Sequence, residues 1–242
     1  MSVQSISYTK NHERKRMARV AKLSRIPAMS AVAISIQFLA LCIALIFSTP
    51  NAAAEKCTYS TWAWSPEEGR AVDHAEIIKP RSELAAEERH PDLPCTICAE
   101  DHRIIALSNG AEVTVCKAVA DDLEVALNAA LRAEFPINEI VGYRVGRTKG
   151  VLDESGRRTQ YSHHSFGLAI DINSSVNGLY ENCAQFSPRC RLLRGGEWRP
   201  GAPGAITPET PVYGAITAMG WRWGGELPGR QKDFMHFSPM GD

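Results

Sequence analysis

The chain has 242 residues, and its 27 Lys+Arg balance 27 Asp+Glu. The balance is uneven: residues 1–54 hold Lys10, Arg14, Lys15, Arg16, Arg19, Lys22 and Arg25 against Glu13 alone, leaving 20 basic and 26 acidic residues for the rest. A mildly acidic remainder gives no electrostatic reason to bind nucleic acid or anionic lipid, and excludes neither hydrolysis nor peptide recognition.

The basic head leads into an uncharged stretch from Ile26 to Ala54, densest from Phe38 to Phe47, and then into Pro50-Asn51-Ala52-Ala53-Ala54. Small residues at both recognition positions fit an Ala-x-Ala export cleavage after Ala54. An uncleaved anchor is the competing reading, because Ile26–Phe47 approaches the roughly 20 residues that span a bilayer. Either way the domain is expected outside the cytoplasm, periplasmic or extracellular, and membrane-bound only if the segment is retained. A lipoprotein signal is disfavoured, since Leu41 precedes Cys42 where a small residue would be needed.

With Cys42 set aside, Cys57, Cys95, Cys98, Cys116, Cys183 and Cys190 remain, an even number in an exported chain, which predicts disulfides. Cys183 with Cys190 would staple a short loop. The other four can pair in three ways, and Cys95-Thr96-Ile97-Cys98 has half of a structural zinc site or a redox pair as its alternative.

Residues 57–102 show weak periodicity and read as an irregular extension tied down by cysteines. Arg103–Leu107 and Ala111–Cys116 flank Ser108-Asn109-Gly110, a hairpin signal. Val119, Leu123, Ala126, Leu127, Ala130 and Leu131 recur at helical spacing, predicting an amphipathic helix over 118–134 that Pro136 limits. Strands are predicted over Glu139–Val145 and Leu168–Ile172. Thr210-Pro211 starts a short helix that Gly220 stops, and a last strand passes through His236. Hairpins and helices without βαβ alternation give an α+β class. The division is 1–54 signal or anchor, 55–117 cysteine-containing extension with a hairpin, and 118–242 core.

In Leu168-Ala169-Ile170-Asp171-Ile172, alternation sends the aliphatics to the core and Asp171 to the other face. A carboxylate among aliphatics is costly unless paired or metal-bound. Metal ligation resolves the cost; capping a turn with Asn173 is the alternative. Two imidazoles and one carboxylate hold Zn²⁺ with a fourth position open. Strand parity favours His163 as partner, but Gly167 can break the strand and cancel parity, which leaves His163 and His164 both open. Asp233-Phe234-Met235-His236 supplies the second imidazole and a spare acid. The alternative for Asp233 is a surface acid answering Arg230 or Lys232.

Ser162-x-His164-x-x-Gly167-x-Ala169-x-Asp171, with Gly220-Trp221-x-Trp223-Gly224-Gly225 and Asp233-x-x-His236-Phe237, resembles the zinc D-alanyl-D-alanine carboxypeptidase family. That family includes vancomycin-resistance dipeptidases and carboxypeptidases and phage L-alanyl-D-glutamate endolysins, and shares its fold with the hedgehog signalling domain. The resemblance covers roughly residues 118–238. It implies a small antiparallel sheet flanked by helices, with His164, Asp171 and His236 as zinc ligands and His163 as a flanking residue. It also implies that Asp233 moves protons between water and the leaving amine; Asp rather than Glu there resembles the endolysin branch.

Arg144, in Gly142-Tyr143-Arg144, matches the family's substrate-anchoring arginine, whose fork suits a carboxylate or an oxyanion. Arg147 competes with it, and Thr148 stands where the family often has glutamine. Ser162 and Trp223 are the other candidates for substrate contact, while His12, His74, His90 and His102 read as surface residues.

The expected function is a zinc metallopeptidase that hydrolyses peptidoglycan stem peptides, with no nucleic-acid partner. The alternatives are a non-catalytic zinc-stabilised cell-wall-binding module, which has no need of Asp233, and a lysostaphin-like enzyme, whose closing His-x-His pair is interrupted here by Ser238.

Overall fold

The structure is a computed structural model and describes residues 55–241; the export segment, Cys42 and His12 lie outside the described residues. Among the described residues no helix is long and apolar enough to cross a membrane.

The segment expected to be irregular opens instead with two long antiparallel strands, β1 (Lys56–Ser65) and β2 (Arg70–Pro80). The buried positions of β1 are Cys57, Tyr59, Ala63 and Ser65, so its alternation is carried largely by small or weakly hydrophobic side chains. That is why hydrophobic period alone missed it. A second hairpin follows as predicted, β3 (His102–Ala106) with β4 (Glu112–Cys116), its turn closed by Gly110 at φ +86°.

Helix α1 (Lys117–Arg132) buries Ala120, Leu123, Ala126, Leu127 and Ala130, the three-four spacing of an apolar face. The strand expected over Glu139–Val145 is divided into β5 (Ile140–Val141) and β6 (Val145–Leu152). Between them Gly142 runs so close to β4 that a Cβ would lie 2.2 Å from the Thr114 carbonyl oxygen, and Tyr143 N–H donates to that oxygen at 2.7 Å. β7 (Arg158–Tyr161) returns antiparallel to β6, and β1 joins β6 in parallel, giving the order β2-β1-β6-β7.

β8 (Ile170–Ile172), β9 (Leu179–Glu181), β10 (Arg191–Arg194), helix α2 (Pro211–Thr217), β11 (Arg222–Trp223), β12 (Gln231–Asp233) and β13 (His236–Ser238) complete the described chain. They form two further small sheets, β11-β13-β8-β5 and β10-β9-β12. The short helix begins at Pro211 as expected, and Gly220 at φ +86° ends the turn after it. The class is therefore α+β.

One apolar cluster packs Leu123, Leu127, Val212 and Ile216 of the helices against Ile170, Ile172 and Phe237 of the central sheet. Each such side chain contributes about 1.5–3 kcal/mol on full burial. A second cluster joins the cysteine-bearing segment to the strands ahead of β8 through Tyr59, Leu84, Ile97, Val145, Phe166 and Leu168. Two disulfides, Cys57–Cys98 and Cys95–Cys116, lie in it, and Cys183–Cys190 staples the loop after β9 as expected. Cys95 and Cys98 thus bond to different partners, which removes the zinc and redox readings of that pair.

Candidate metal centre

The chain from Ser162 to Asp171 does not run as one strand. His163–Phe166 forms a 3-10 turn that Gly167 ends in the left-handed conformation at φ +63°, and this reset cancels the parity that had favoured His163. Only glycine fits, because a Cβ at position 167 would meet His102 Cδ2 at 2.4 Å and Cys116 N at 2.5 Å. His102 is therefore buried, not a surface residue; it stacks on Tyr143 with ring centroids 3.8 Å apart.

The turn directs His164 inward, where Nδ1 lies 2.8 Å from the Gly142 carbonyl oxygen. That contact makes Nδ1 the protonated nitrogen and leaves the Nε2 lone pair facing Asp171, with Nε2 3.1 Å from Oδ1. His236 approaches the same carboxylate from β13, its Nδ1 2.9 Å from Oδ1. The three ligand-capable atoms lie within 4.8 Å of one another, and all three residues are buried. A tetrahedral zinc with bonds of about 2.0–2.1 Å needs neighbouring donors roughly 3.3 Å apart. The donor set fits that ion in kind and in the tautomer of His164, and the 3.1 and 2.9 Å separations of the two imidazoles from Asp171 lie near that spacing.

Arg144 Nη2 donates to Asp171 Oδ2 at 2.7 Å, so the guanidinium holds the oxygen that the imidazoles leave alone. Arg147 is drawn elsewhere, paired with Glu87 at 2.7 Å and lying 4.5 Å from the Tyr161 ring centre. Asn173 is no partner of Asp171; its Oδ1 accepts from the backbone of Asn138 and Glu139, and its amide donates to Pro136 and Gly204.

Asp233 ends β12. Its backbone passes so close to Gly224 that a Cβ there would lie 2.4 Å from the Asp233 carbonyl oxygen, which accounts for the first glycine after Trp223. Asp233 Oδ1 is buried without a hydrogen-bond partner. Neither neighbouring cation answers it: Arg230 reaches Asn182 and Lys232 reaches the Leu227 carbonyl.

His164, Asp171, Asp233 and His236 line one cavity of 380 Å³ together with Arg144, Ser162, Lys149, Arg158 and Arg194. Ser162 Oγ is buried there without a partner. Trp223 does not reach the cavity: it is buried in the core, its indole N–H donates to the Phe234 carbonyl at 2.8 Å, and it packs near Trp198 and Phe234. A large aromatic with its polar atom satisfied by backbone stabilises the floor beneath β12 rather than touching a substrate. Lys149, Arg158 and Arg194 were not singled out in the sequence, since nothing in their spacing joins them.

Burial alone would raise the Asp171 carboxyl, but His164 and His236 beside it hold it well below the usual range, so it stays ionised. Burial pushes His164 down to about 4 and leaves its imidazole neutral. For His236 the hydrogen bond and charge of Asp171 outweigh burial and raise it. Asp233 is pushed up to about 6, first by burial and then by the negative Asp171, against the opposing pull of His236. The site therefore combines a neutral imidazole at His164, an ionised carboxylate at Asp171 and a second carboxyl, Asp233, tuned toward neutrality, the separation of roles that acid-base chemistry requires.

No curated protein and no solved structure matches the chain. Residues 155–239, the stretch that carries His164, Asp171, Asp233 and His236, match the D-alanyl-D-alanine carboxypeptidase family, and this makes the metal-capable cavity the candidate active site of a peptidase.

Proposed function

We propose that the protein is a zinc-dependent peptidase, active outside the cytoplasm, that hydrolyses peptidoglycan stem peptides at or near a D-amino acid. The observation that carries this reading is the meeting of His164, Asp171 and His236 around one point in the cavity that also holds the unpartnered Oδ1 of Asp233. A binding module would have no use for a carboxylate oxygen, Asp233 Oδ1, buried in that cavity without a hydrogen-bond partner. Three disulfides support an oxidising compartment.

Zinc held by the three ligands would supply Lewis acidity toward the scissile carbonyl and would acidify water. The remaining work belongs to the chain. Asp233, ionised, takes a proton from the attacking water at Oδ1 and delivers it to the departing amine. Gly142, through its carbonyl, keeps the His164 lone pair aimed inward. Arg144 fixes the orientation of Asp171 through Nη2, and its guanidinium, which lines the cavity, is available to a substrate carboxylate or oxyanion.

Digestion of purified muropeptides with and without a chelator, followed by mass analysis, tests the reading. Loss of one alanine indicates carboxypeptidase action, and separation of L-alanine from the remaining peptide indicates an endopeptidase. Cleavage that persists with the metal stripped, or no cleavage of any muropeptide by zinc-loaded protein, overturns it.

A further inference from the structure

Lys149 and Arg194 line the metal-capable cavity but come from different sheets, β6 and β10. Each sits at a break in strand register: the β6–β7 pairing shifts on both sides of Lys149, and the β9–β10 pairing shifts between Leu192 and Arg194. Each is also followed by a glycine in the left-handed region, Gly150 at φ +79° and Gly195 at φ +77°. Those glycines are fixed by their surroundings. A Cβ on Gly150 would lie 2.6 Å from Gln160 Cγ, and one on Gly195 would lie 2.5 Å from the Ser174 carbonyl oxygen.

A bulge re-aims the side chain beside it. Two bulges, written in the sequence as Lys-Gly and Arg-Gly, thus present two cations to one cavity. Neither side chain makes a hydrogen bond or ion pair with another described residue. The other arginines of the cavity each have a partner already: Arg144 holds Asp171 through Nη2, and Arg158 donates to the Gly150 carbonyl at 2.6 Å. Both uncommitted cations are near enough to favour the ionised form of Asp233. A lone exposed cation is worth little to a ligand. Two that focus on one concave site raise the local potential, and an anion joining them relieves their mutual repulsion.

We propose that Lys149 and Arg194 form a second anion subsite, which binds a carboxylate of the substrate other than any group held at Arg144, so that the enzyme selects acidic peptides. The inference rests on the peptidase reading for its substrate, but binding can be measured whether or not a bond is cut.

The test uses zinc-loaded Asp233→Asn protein and two N-acetylated peptides ending in D-Ala-D-Ala, one with an upstream D-glutamate and one with D-glutamine at the same place. By calorimetry the D-glutamate peptide should bind about 10-fold more tightly, a gap of roughly 1.4 kcal/mol. That gap should shrink at high salt and fall below about 2-fold when Lys149→Gln and Arg194→Gln are added, changes that keep most of each side-chain stem. Equal affinities in the parent protein, no binding of either peptide, or a gap that survives the double change each overturn the subsite. Cleavage of the same peptides by the unmodified enzyme is scored separately, so failure of the peptidase reading shows as binding without hydrolysis.

Discussion

His236 stands directly opposite Asp171 in the β8–β13 ladder, with Nδ1 2.9 Å from Oδ1, so backbone pairing itself sets the spacing of two of the three ligand atoms. His164, delivered by the turn before β8, completes the set. His164→Ala and Asp171→Ala should therefore each lose bound zinc during purification, as read by elemental analysis. Asp233→Ala should keep zinc at the level of the unmodified protein while kcat falls about 10²–10⁴-fold. Full turnover in Asp233→Ala would remove it from the chemistry.

Arg144 secures the Asp171 oxygen that faces away from the imidazoles. Lysine lacks the planar fork and cannot hold that geometry while also facing the cavity. Arg144→Lys should weaken zinc binding about 10-fold or more, within the range for residues that orient a ligand. Competition against a chromogenic chelator measures this, and an unchanged zinc affinity would show that Arg144 does not position Asp171.

In the metal-free protein Asp233 should titrate near pH 6, because burial and the Asp171 charge raise it. A carboxyl raised above its unfolded value contributes stability at low pH, and that contribution is lost as pH rises through about 6. Zinc adds positive charge nearby and should move the titration down. Carboxyl-carbon NMR follows both midpoints. In catalysis the base form is needed, so kcat/KM should fall as the solution is acidified through the zinc-loaded midpoint. A metal-free midpoint at or below 4 would contradict the burial of this group.

Gly167 combines positive φ with contact on His102 and Cys116, so Gly167→Ala meets strain and overlap together. The expected loss is about 2–4 kcal/mol in denaturant unfolding. Zinc retention should fall with it, since the turn that aims His164 ends at this residue. Wild-type stability in this variant would show that the turn can relax without cost.

Cys57–Cys98 closes a sequence separation of 41 and Cys183–Cys190 one of 7. If restriction of the unfolded chain dominates, removing the longer link should cost about 1.5 kcal/mol more than removing the shorter. Paired serine substitutions and chemical denaturation compare them, and the reverse order would show that native-state packing governs instead.

Much of this arrangement was legible in the sequence, and the rest was hidden for physical reasons. The β3–β4 hairpin, α1 and the Cys183–Cys190 link follow from local rules, and the motif resemblance selected His164 over His163 where alternation left both open. The β1–β2 hairpin was missed because the buried face of β1 uses Cys57, Ala63 and Ser65, which carry little hydrophobic signal. Trp223 reads as a candidate for substrate contact with the core as its alternative, and the structure gives the core, its indole N–H donating to the Phe234 carbonyl. Lys149 and Arg194 lie in different strands, and only the glycine after each hinted at a bulge that no hydrophobic pattern reveals.

The parallel pairing of β1 with β6 joins Thr61 to Val145, a contact between segments far apart in the chain. During vectorial synthesis β1 emerges long before β6 exists, and β2, which pairs with the other edge of β1, leaves this edge open meanwhile. A fragment beginning at α1 would lack β1 and leave that flank of β6 bare, an open strand edge prone to self-association.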